Sequence, residues 1–396
     1  MKIVSLNFST SGSTIGGASN AAFNLSLEIS KSIPHTLCRM WDNDSALLAS
    51  SGLRVSNFCT FLPPLFLFKS PWSKLFCFSH FKSYLSSNLP DIVHIHNLIP
   101  SIHLLHICIF LKLKGVKITL STHGLYEVFC PRYGFSVIQL FAWYLLVSFP
   151  VWLVLLVSDH IFIGYPGQMN EIPLLPNKWL SYSLLPNGAN PSFESFTAKD
   201  SEIVDLQLQL GINPSLPILL YVGNHTRNKG FDDLIILAKT LNYSFNLVIC
   251  GRIRDPDVCS NMKYSARSTI NVVFTDFLED DKITALYNIS DLLLFPSKSD
   301  TLPLCVIDSM SSGVLVVAYS LPGIEYLLGS SYPLLVSNFS SSSFVESVSS
   351  WFLMDSKRIL ELKKYCRDRQ NSLFTWGKAA QDSINIYNYV CKANVN

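Results

Sequence analysis

Short apolar runs alternate with stretches whose apolar residues recur every three or four positions, along nearly the whole chain. The first pattern fits strands buried on both faces, and the second fits helices that cover them. Lys2 to Asn7 reads as the first strand, followed by a glycine-containing loop and a helix from Ala18 to Ser30 with Ala22, Leu25 and Ile29 on one face. Ile92 to His96 reads as a strand, Ile102 to Leu113 as a helix, Lys117 to Ser121 as a strand, and Ile161 to Gly164 and Leu184-Leu185 as short strands. The alternation restarts after the polar, proline-punctuated segment Asn213 to Pro217. Strands are expected at Ile218 to Gly223, Asn246 to Cys250, Asn271 to Phe274, Leu292 to Phe295 and Val314 to Tyr319, with helices at Phe231 to Leu241 and Glu279 to Asn288. This alternation predicts a doubly wound α/β fold, and its restart predicts two such domains linked near 188–192. Ser337 to Ser350 is serine-rich, but Phe344 and Val348 predict a capped helix there rather than a linker.

Composition narrows the classes. The 396 residues suffice for two domains, and with 49% hydrophobic and 15% charged residues disorder is excluded as a description of the chain. A net charge of +2 gives no polyelectrolyte signal, so nucleic acid is not an expected partner. The ten cysteines are scattered singly, with neither a CxxC pair nor zinc-ligand spacing, which predicts reduced thiols and a reducing compartment. The N-terminal run Ile3 to Leu6 turns polar at once, as a first buried strand does and a signal peptide does not, so a cytoplasmic location is expected.

One segment complicates that picture. Positions 133–158, between Arg132 and Asp159, carry no charged residue and are long enough to span a bilayer. Pro150 interrupts the run, and Ser136, Gln139 and Ser148 dilute it. A spanning helix, a helix lying on a membrane or partner, and a core helix all remain open. Phe58 to Phe81, which interleaves Phe, Leu and Trp with Lys69 and Lys74, favours the surface reading.

Candidate chemistry concentrates in 291–323, DLLLFPSKSDTLPLCVIDSMSSGVLVVAYSLPG. A buried strand ends at Pro296-Ser297, Asp300 follows, and a helical segment carries Asp308 and closes at Gly313. Helix N-termini favour anions and carboxylates accept hydrogen bonds from sugar hydroxyls, so the stretch fits a ligand carrying phosphate and hydroxyls, such as a nucleotide-sugar.

This stretch resembles the C-terminal signature of the retaining family-4 glycosyltransferases (glycosyl transferases group 1, GT-B fold), approximately PS-x-x-E-x7-E-A-x-x-x-G-x-P-V-V, with Asp300 and Asp308 at the two glutamate positions. GGASNAAFNL, beginning at Gly16-Gly17, resembles the family's N-terminal loop GGA-x-x-x-A-x-x-L. STHGLYE, with His123, resembles T-x-H-G, and DIVHIHN, with His94 and His96, resembles PD-x-V-H-x-H. GNHTRNKG resembles GR-x-x-x-x-KG, with Lys229 matching and Asn224 in place of the arginine; Arg227 is the expected substitute cation and Arg252 a second candidate. Pro186-Asn187-Gly188 resembles PNG-x-D, with Asn190 at the aspartate position. The resemblance is weakest over about 35–90.

The resemblance implies two Rossmann-like domains facing across a cleft: an acceptor-side domain over 1–188, joined by a final helix at about 377–396, and a donor-binding domain over 191–376. It implies transfer of a sugar from a nucleoside-diphosphate donor with retention. His123 and Asp300 would contact the transferred sugar and Asp308 the ribose. Gly16, Gly17, Arg227, Lys229 and the amides of Leu304 and Cys305 would hold the diphosphate. It implies no required metal or other cofactor. The apolar surface points to a lipid-linked acceptor at the inner membrane face, as in assembly of a bacterial surface polysaccharide or O-antigen. A catalytically degenerate partner subunit (motivated by Asn224 and Asp308), a single-span membrane protein and a nucleotide-sugar epimerase are the alternatives. The two histidines of the H-x-H run share one strand face, which also allows a metal site, but no carboxylate pair joins them; for His96 a structural or cleft-lining role is expected.

Overall fold

The computed structural model describes residues 1–7, 17–39, 54–57, 85–86, 89–98, 101–129, 136–172, 180–195, 200–252 and 256–392. The chain forms two compact units, Met1–Asn187 with Trp376–Asn396, and Gly188–Thr375.

The first unit is built on a parallel sheet of β1 (Ile3–Asn7), β2 (His35–Arg39), β3 (Arg54–Asn57), β4 (Ile92–Ile95), β5 (Lys117–Ser121), β6 (His160–Ile163) and β7 (Tyr182–Leu184), in the order β3-β2-β1-β4-β5-β6-β7. The second unit carries β8 (Ile218–Val222), β9 (Phe245–Cys250), β10 (Ile270–Thr275), β11 (Leu292–Phe295), β12 (Leu315–Tyr319) and β13 (Leu335–Val336), ordered β10-β9-β8-β11-β12-β13, again all parallel. Strand order reverses direction between β1 and β4 in one sheet and between β8 and β11 in the other. Open α/β sheets bind ligands beyond the carboxyl ends of strands at such switch points.

Composition explains the layering. FNLVIC in β9, LLLF in β11 and LVVAY in β12 are buried throughout, as strands covered by helices on both faces must be. The first sheet is buried in the same way but is less apolar, with Ser5, Asn7 and His94 fully buried within it. The C-terminal helix Trp376–Lys392 packs on helix Gly17–Ser30 and sends Tyr387 to His94, at 2.6 Å from its Nδ1. The serine-rich segment forms helix Ser341–Phe352, with the Ser340 hydroxyl accepting the Ser343 N–H.

Pro150 does not interrupt the apolar segment. A helix runs from Val137 to Val157, opened by a Ser136–Gln139 capping box and carrying a π turn over Tyr144–Ser148. Proline has no N–H to offer the carbonyl four residues back. That carbonyl, on Leu146, instead accepts the Ser101 hydroxyl at 2.7 Å. The Trp143 indole and the Ser148 hydroxyl both donate to the Val128 carbonyl, at 2.9 and 2.7 Å. The second half buries Val151, Val154 and Leu155, and there the core reading fits. The first half does not enter the core: Val137 is 85% exposed, Ile138 82% and Phe141 70%, with Leu145 and Phe149 also exposed. By length and composition this helix meets the requirement for crossing a membrane. Positions 58–81 and 133–135, which the sequence reading also invoked, lie outside the described residues.

Candidate active site

In the second unit two loops at the carboxyl ends of β8 and β11 are pinned together. Gly230 adopts φ +74°, and a Cβ there would lie 2.1 Å from the Pro296 carbonyl oxygen, so only glycine fits. The Lys298 N–H donates to the Asn228 carbonyl at 2.9 Å, and the Ser297 hydroxyl to the same carbonyl at 3.3 Å. Tyr221 supports the first loop from below, its hydroxyl donating to the Asn224 carbonyl at 2.8 Å. The lysine-glycine and proline-serine motifs, about 70 residues apart in sequence, thus meet backbone to backbone.

The consequence is an ion pair. Lys229 Nζ lies 2.8 and 2.7 Å from the two carboxylate oxygens of Asp300. Behind it starts helix Leu304–Ser312, whose N-cap Pro303 offers no side-chain acceptor. The N–H groups of Leu304 and Cys305 fall among the four that a helix start leaves without intrahelical partners. The result is a part-buried cation beside unsatisfied donors at the positive end of a helix dipole, an arrangement that attracts anionic oxygens. Burial, and after it the Asp300 carboxylate, push the Cys305 thiol far above its usual range, so it stays protonated.

Asp308 sits one turn further along the same helix. Its Oδ1 accepts the Asn190 N–H at 2.8 Å, tying the helix to the segment that opens this unit. Burial raises its pKa to about 7; the Asn190 hydrogen bond opposes the rise and the Asp280 carboxylate adds to it. Arg227 is not drawn into the cluster. It is 89% exposed and its Nε donates to Asp232 at 2.9 Å. Arg252 ends exposed after β9.

In the first unit His123 follows β5 at its carboxyl end. Its loop is held by Gln168, which accepts the Gly164 N–H at 2.7 Å and donates to the Thr122 carbonyl at 3.2 Å. The His123 ring stacks at 6.0 Å on that of His96, which stacks at 4.1 Å on His94. Burial lowers the His123 pKa to about 4, so the imidazole is neutral at physiological pH. Gly17 is the first residue of its helix, while Gly16 and the loop before it lie outside the described residues. Among the described residues no group of three or more His, Cys, Asp or Glu side chains is arranged to hold a metal ion.

Sequence reasoning missed Asn7, Gln168, Tyr221 and Tyr387. Asn7 carried a signal in hindsight, as a polar residue ending an otherwise apolar first strand. For the others nothing in the local pattern distinguishes a supporting side chain from a solvated one.

Residues 205–369 match the model of the family Glycosyl transferases group 1. The chain is 26% identical over 251 residues to the sulfoquinovosyl transferase SQD2 of Arabidopsis thaliana, covering 60% of this chain and 44% of that protein. It spans half or less of the length of the curated relatives it matches first. Among solved structures, sucrose-phosphate synthase from Thermosynechococcus elongatus superposes with TM-score 0.80 at 17% identity, covering 100% of both chains. HepE of Anabaena, solved in complex with UDP and glucose, gives TM-score 0.76 at 14% identity over 98% of this chain and 100% of that one. The segment that matches the glycosyl transferases group 1 model carries the lysine–aspartate pair and the helix start, and the whole chain follows the GT-B fold.

Proposed function

We propose that the protein transfers a hexose from a nucleoside-diphosphate donor to a lipid-linked glycan acceptor with retention of anomeric configuration. The observation that carries this reading is the Lys229–Asp300 pair lying beside the uncapped start of helix Leu304–Ser312. The leaving diphosphate takes the N–H groups of Leu304 and Cys305 together with the Lys229 ammonium. Asp300, released from the lysine, turns to hydroxyls of the transferred sugar, and Asp308 accepts from the ribose. Orientation and charge stabilisation do the work, with the acceptor hydroxyl entering the face from which the diphosphate departs. Lys229 and the helix dipole supply the positive potential without a metal or other cofactor. Arg227 joins them as a second cation when it leaves Asp232. His123, with Gly16 and Gly17, contributes from the first unit. HepE, which binds UDP and glucose, supports the donor class.

The exposed apolar row Val137, Phe141, Leu145 and Phe149 supports a lipid-linked acceptor taken at the cytoplasmic face of a bacterial inner membrane, in surface polysaccharide or O-antigen assembly. A panel of nucleotide-sugars incubated with the protein and membrane lipid extracts tests the whole reading by mass shift of the lipid. One donor is expected to add a hexose to lipid, with the product anomer matching the donor by NMR and with Asp300→Ala inactive. A native chain that neither binds nor turns over any nucleotide-sugar refutes it in favour of a non-catalytic subunit.

A further inference from the structure

The two pinned loops of the second unit exchange a second pair of charges, reciprocal to the first. Lys229 reaches across to Asp300, and Lys298 reaches back to Asp233, its Nζ 3.0 Å from Oδ2. Each side of the contact thus contributes one cation and one carboxylate. The second pair lies outside the motifs. Lys298 fills the first variable position of the PS-x-x-E signature, and Asp233 lies three residues past the lysine-glycine motif, in the first turn of helix Phe231–Thr240. Asp233 is also the more deeply buried carboxylate, at 1% exposure against 17% for Asp300.

Asp233 is built into the unit's interior. Its Oδ1 accepts the Tyr319 hydroxyl at 3.1 Å and the hydroxyl of Ser341, which begins helix Ser341–Phe352. Tyr319 ends β12, with its ring against Phe344 at 5.4 Å. Burial, and after it the Asp233 carboxylate, push the Tyr319 phenol far above its usual range, so it remains a donor. One carboxylate therefore ties a helix, a strand end and a second helix start together. Among the described residues no hydrogen bond reaches its Oδ2, which is left to the Lys298 ammonium as an ion pair. The backbone of Lys298 is fixed separately, by its N–H on the Asn228 carbonyl at 2.9 Å. Lys298 is thus held at both ends, two residues before Asp300.

The two pairs fare differently when a donor arrives. Lys229 and Asp300 lie beside the uncapped helix start, where the diphosphate takes the lysine and Asp300 turns to the sugar. The contact that holds Asp300 in the free protein is therefore given up at the moment its position matters. The Asp233–Lys298 pair meets no such competitor, because Tyr319 and Ser341 already enclose the carboxylate. Burying an ion pair is a poor route to stability, since apolar replacements of both partners are often neutral or better. As a fixed tie between two loops it has a use that apolar contact lacks, because a buried carboxylate is satisfied only by a cation or by hydrogen-bond donors. The tolerance is tight: displacing a reacting group by about 1 Å costs on the order of 100-fold in rate.

Resting on the transfer reading, we infer that Asp233 and Lys298 are positioning residues: their pair holds the 296–300 loop so that Asp300 meets the transferred sugar once Lys229 has gone to the diphosphate. Three variants of the full chain test this with the donor that the panel above identifies: Lys298→Met, Lys298→Arg, and Asp233→Asn combined with Lys298→Met. Lys298→Met strands a buried carboxylate and destabilises the second unit. The double variant removes both charges and keeps an acceptor for Tyr319 and Ser341, so its unfolding midpoint should return close to the native one. Its kcat should nevertheless stay about 10- to 100-fold low, the cost of a misplaced Asp300. By calorimetry its affinity for the bare nucleoside diphosphate should match the native chain within about twofold, while the affinity added by the sugar falls about fivefold to tenfold, as loss of one hydrogen bond does. Lys298→Arg keeps the charge and should recover most of kcat. A double variant with native stability and native kcat overturns the inference, because the pair is then structural only. So does a double variant less stable than Lys298→Met, or a Lys298→Arg as slow as Lys298→Met. Weakened binding of the bare nucleoside diphosphate overturns it too, by making Lys298 a phosphate ligand. A native chain that binds no nucleotide-sugar is the separate failure of the transfer reading, and it takes the positioning role with it.

Discussion

Replacing Asp308 by asparagine keeps the side chain's size and its acceptor for the Asn190 N–H but removes its proton equilibrium. The carboxyl titrates at about 7 in the folded chain against a reference of 3.8, with burial as the main cause. The fold therefore prefers the protonated form and binds more protons than the unfolded chain between those values. Stability falls as pH rises from about 4 to about 7 and is level above that. A shift of this size corresponds to about 4 kcal/mol at pH 8 and about 1 kcal/mol at pH 4.5. Part of the residue reaches solvent, and screening trims these to about 2 and under 1 kcal/mol. Asp308→Asn should thus stabilise the second unit at pH 8 by about 2 kcal/mol and change it little at pH 4.5. Two units need not unfold together, so a single melting curve is the wrong measure. Hydrogen exchange of peptides covering Leu304–Ser312 reads the opening of this unit directly. An equal gain at both pH values would refute the raised pKa. A loss at both would mean that the Asn190 bond to an anionic carboxylate outweighs burial.

Three further expectations concern other parts of the fold. Lys229→Ala removes the partner of Asp300 and should weaken nucleotide-sugar binding by about 10- to 100-fold by calorimetry, the worth of one charge-assisted hydrogen bond; unchanged affinity would remove Lys229 from the donor site. Gly230→Ala combines a left-handed backbone with a Cβ 2.1 Å from the Pro296 carbonyl oxygen and should cost about 2–5 kcal/mol, read as a lowered unfolding midpoint of the second unit. Phe141→Glu with Leu145→Glu should abolish flotation with phosphatidylglycerol vesicles while shifting stability by less than about 0.5 kcal/mol, since both side chains face solvent; flotation that survives removes this helix from the membrane contact.

Much of the fold was legible in the sequence because parallel strands buried on both faces leave continuous apolar runs. β5 and β11 have the expected ends, and β1, β8, β9, β10 and β12 differ from them by a residue or two. The strands over 35–57 escaped that test. β2 reads His-Thr-Leu-Cys-Arg, whose alternation of polar and apolar residues is too short to separate from a loop, yet it pairs with β1 along its full length. Pro150 misled for a related reason. Local rules end a helix at proline because a carbonyl loses its donor, and only the tertiary structure shows that Ser101, 49 positions earlier, replaces it.

The sequence by itself determined the α/β class, the restart that divides the chain, and the motif residues Lys229, Asp300, Leu304, Cys305 and Asp308, because strand burial, glycine turns and helix starts are local. The tertiary structure decided which of those residues act on each other. Gly230 against Pro296 joins Lys229 to Asp300, Asp232 draws Arg227 away, and Asn190 captures Asp308. It also brought Asn7, His96 and His123 to the carboxyl ends of three neighbouring strands, where one side-chain nitrogen of each has no partner among the described residues. Pairing and desolvation depend on neighbours distant in the chain, and local sequence patterns do not encode them.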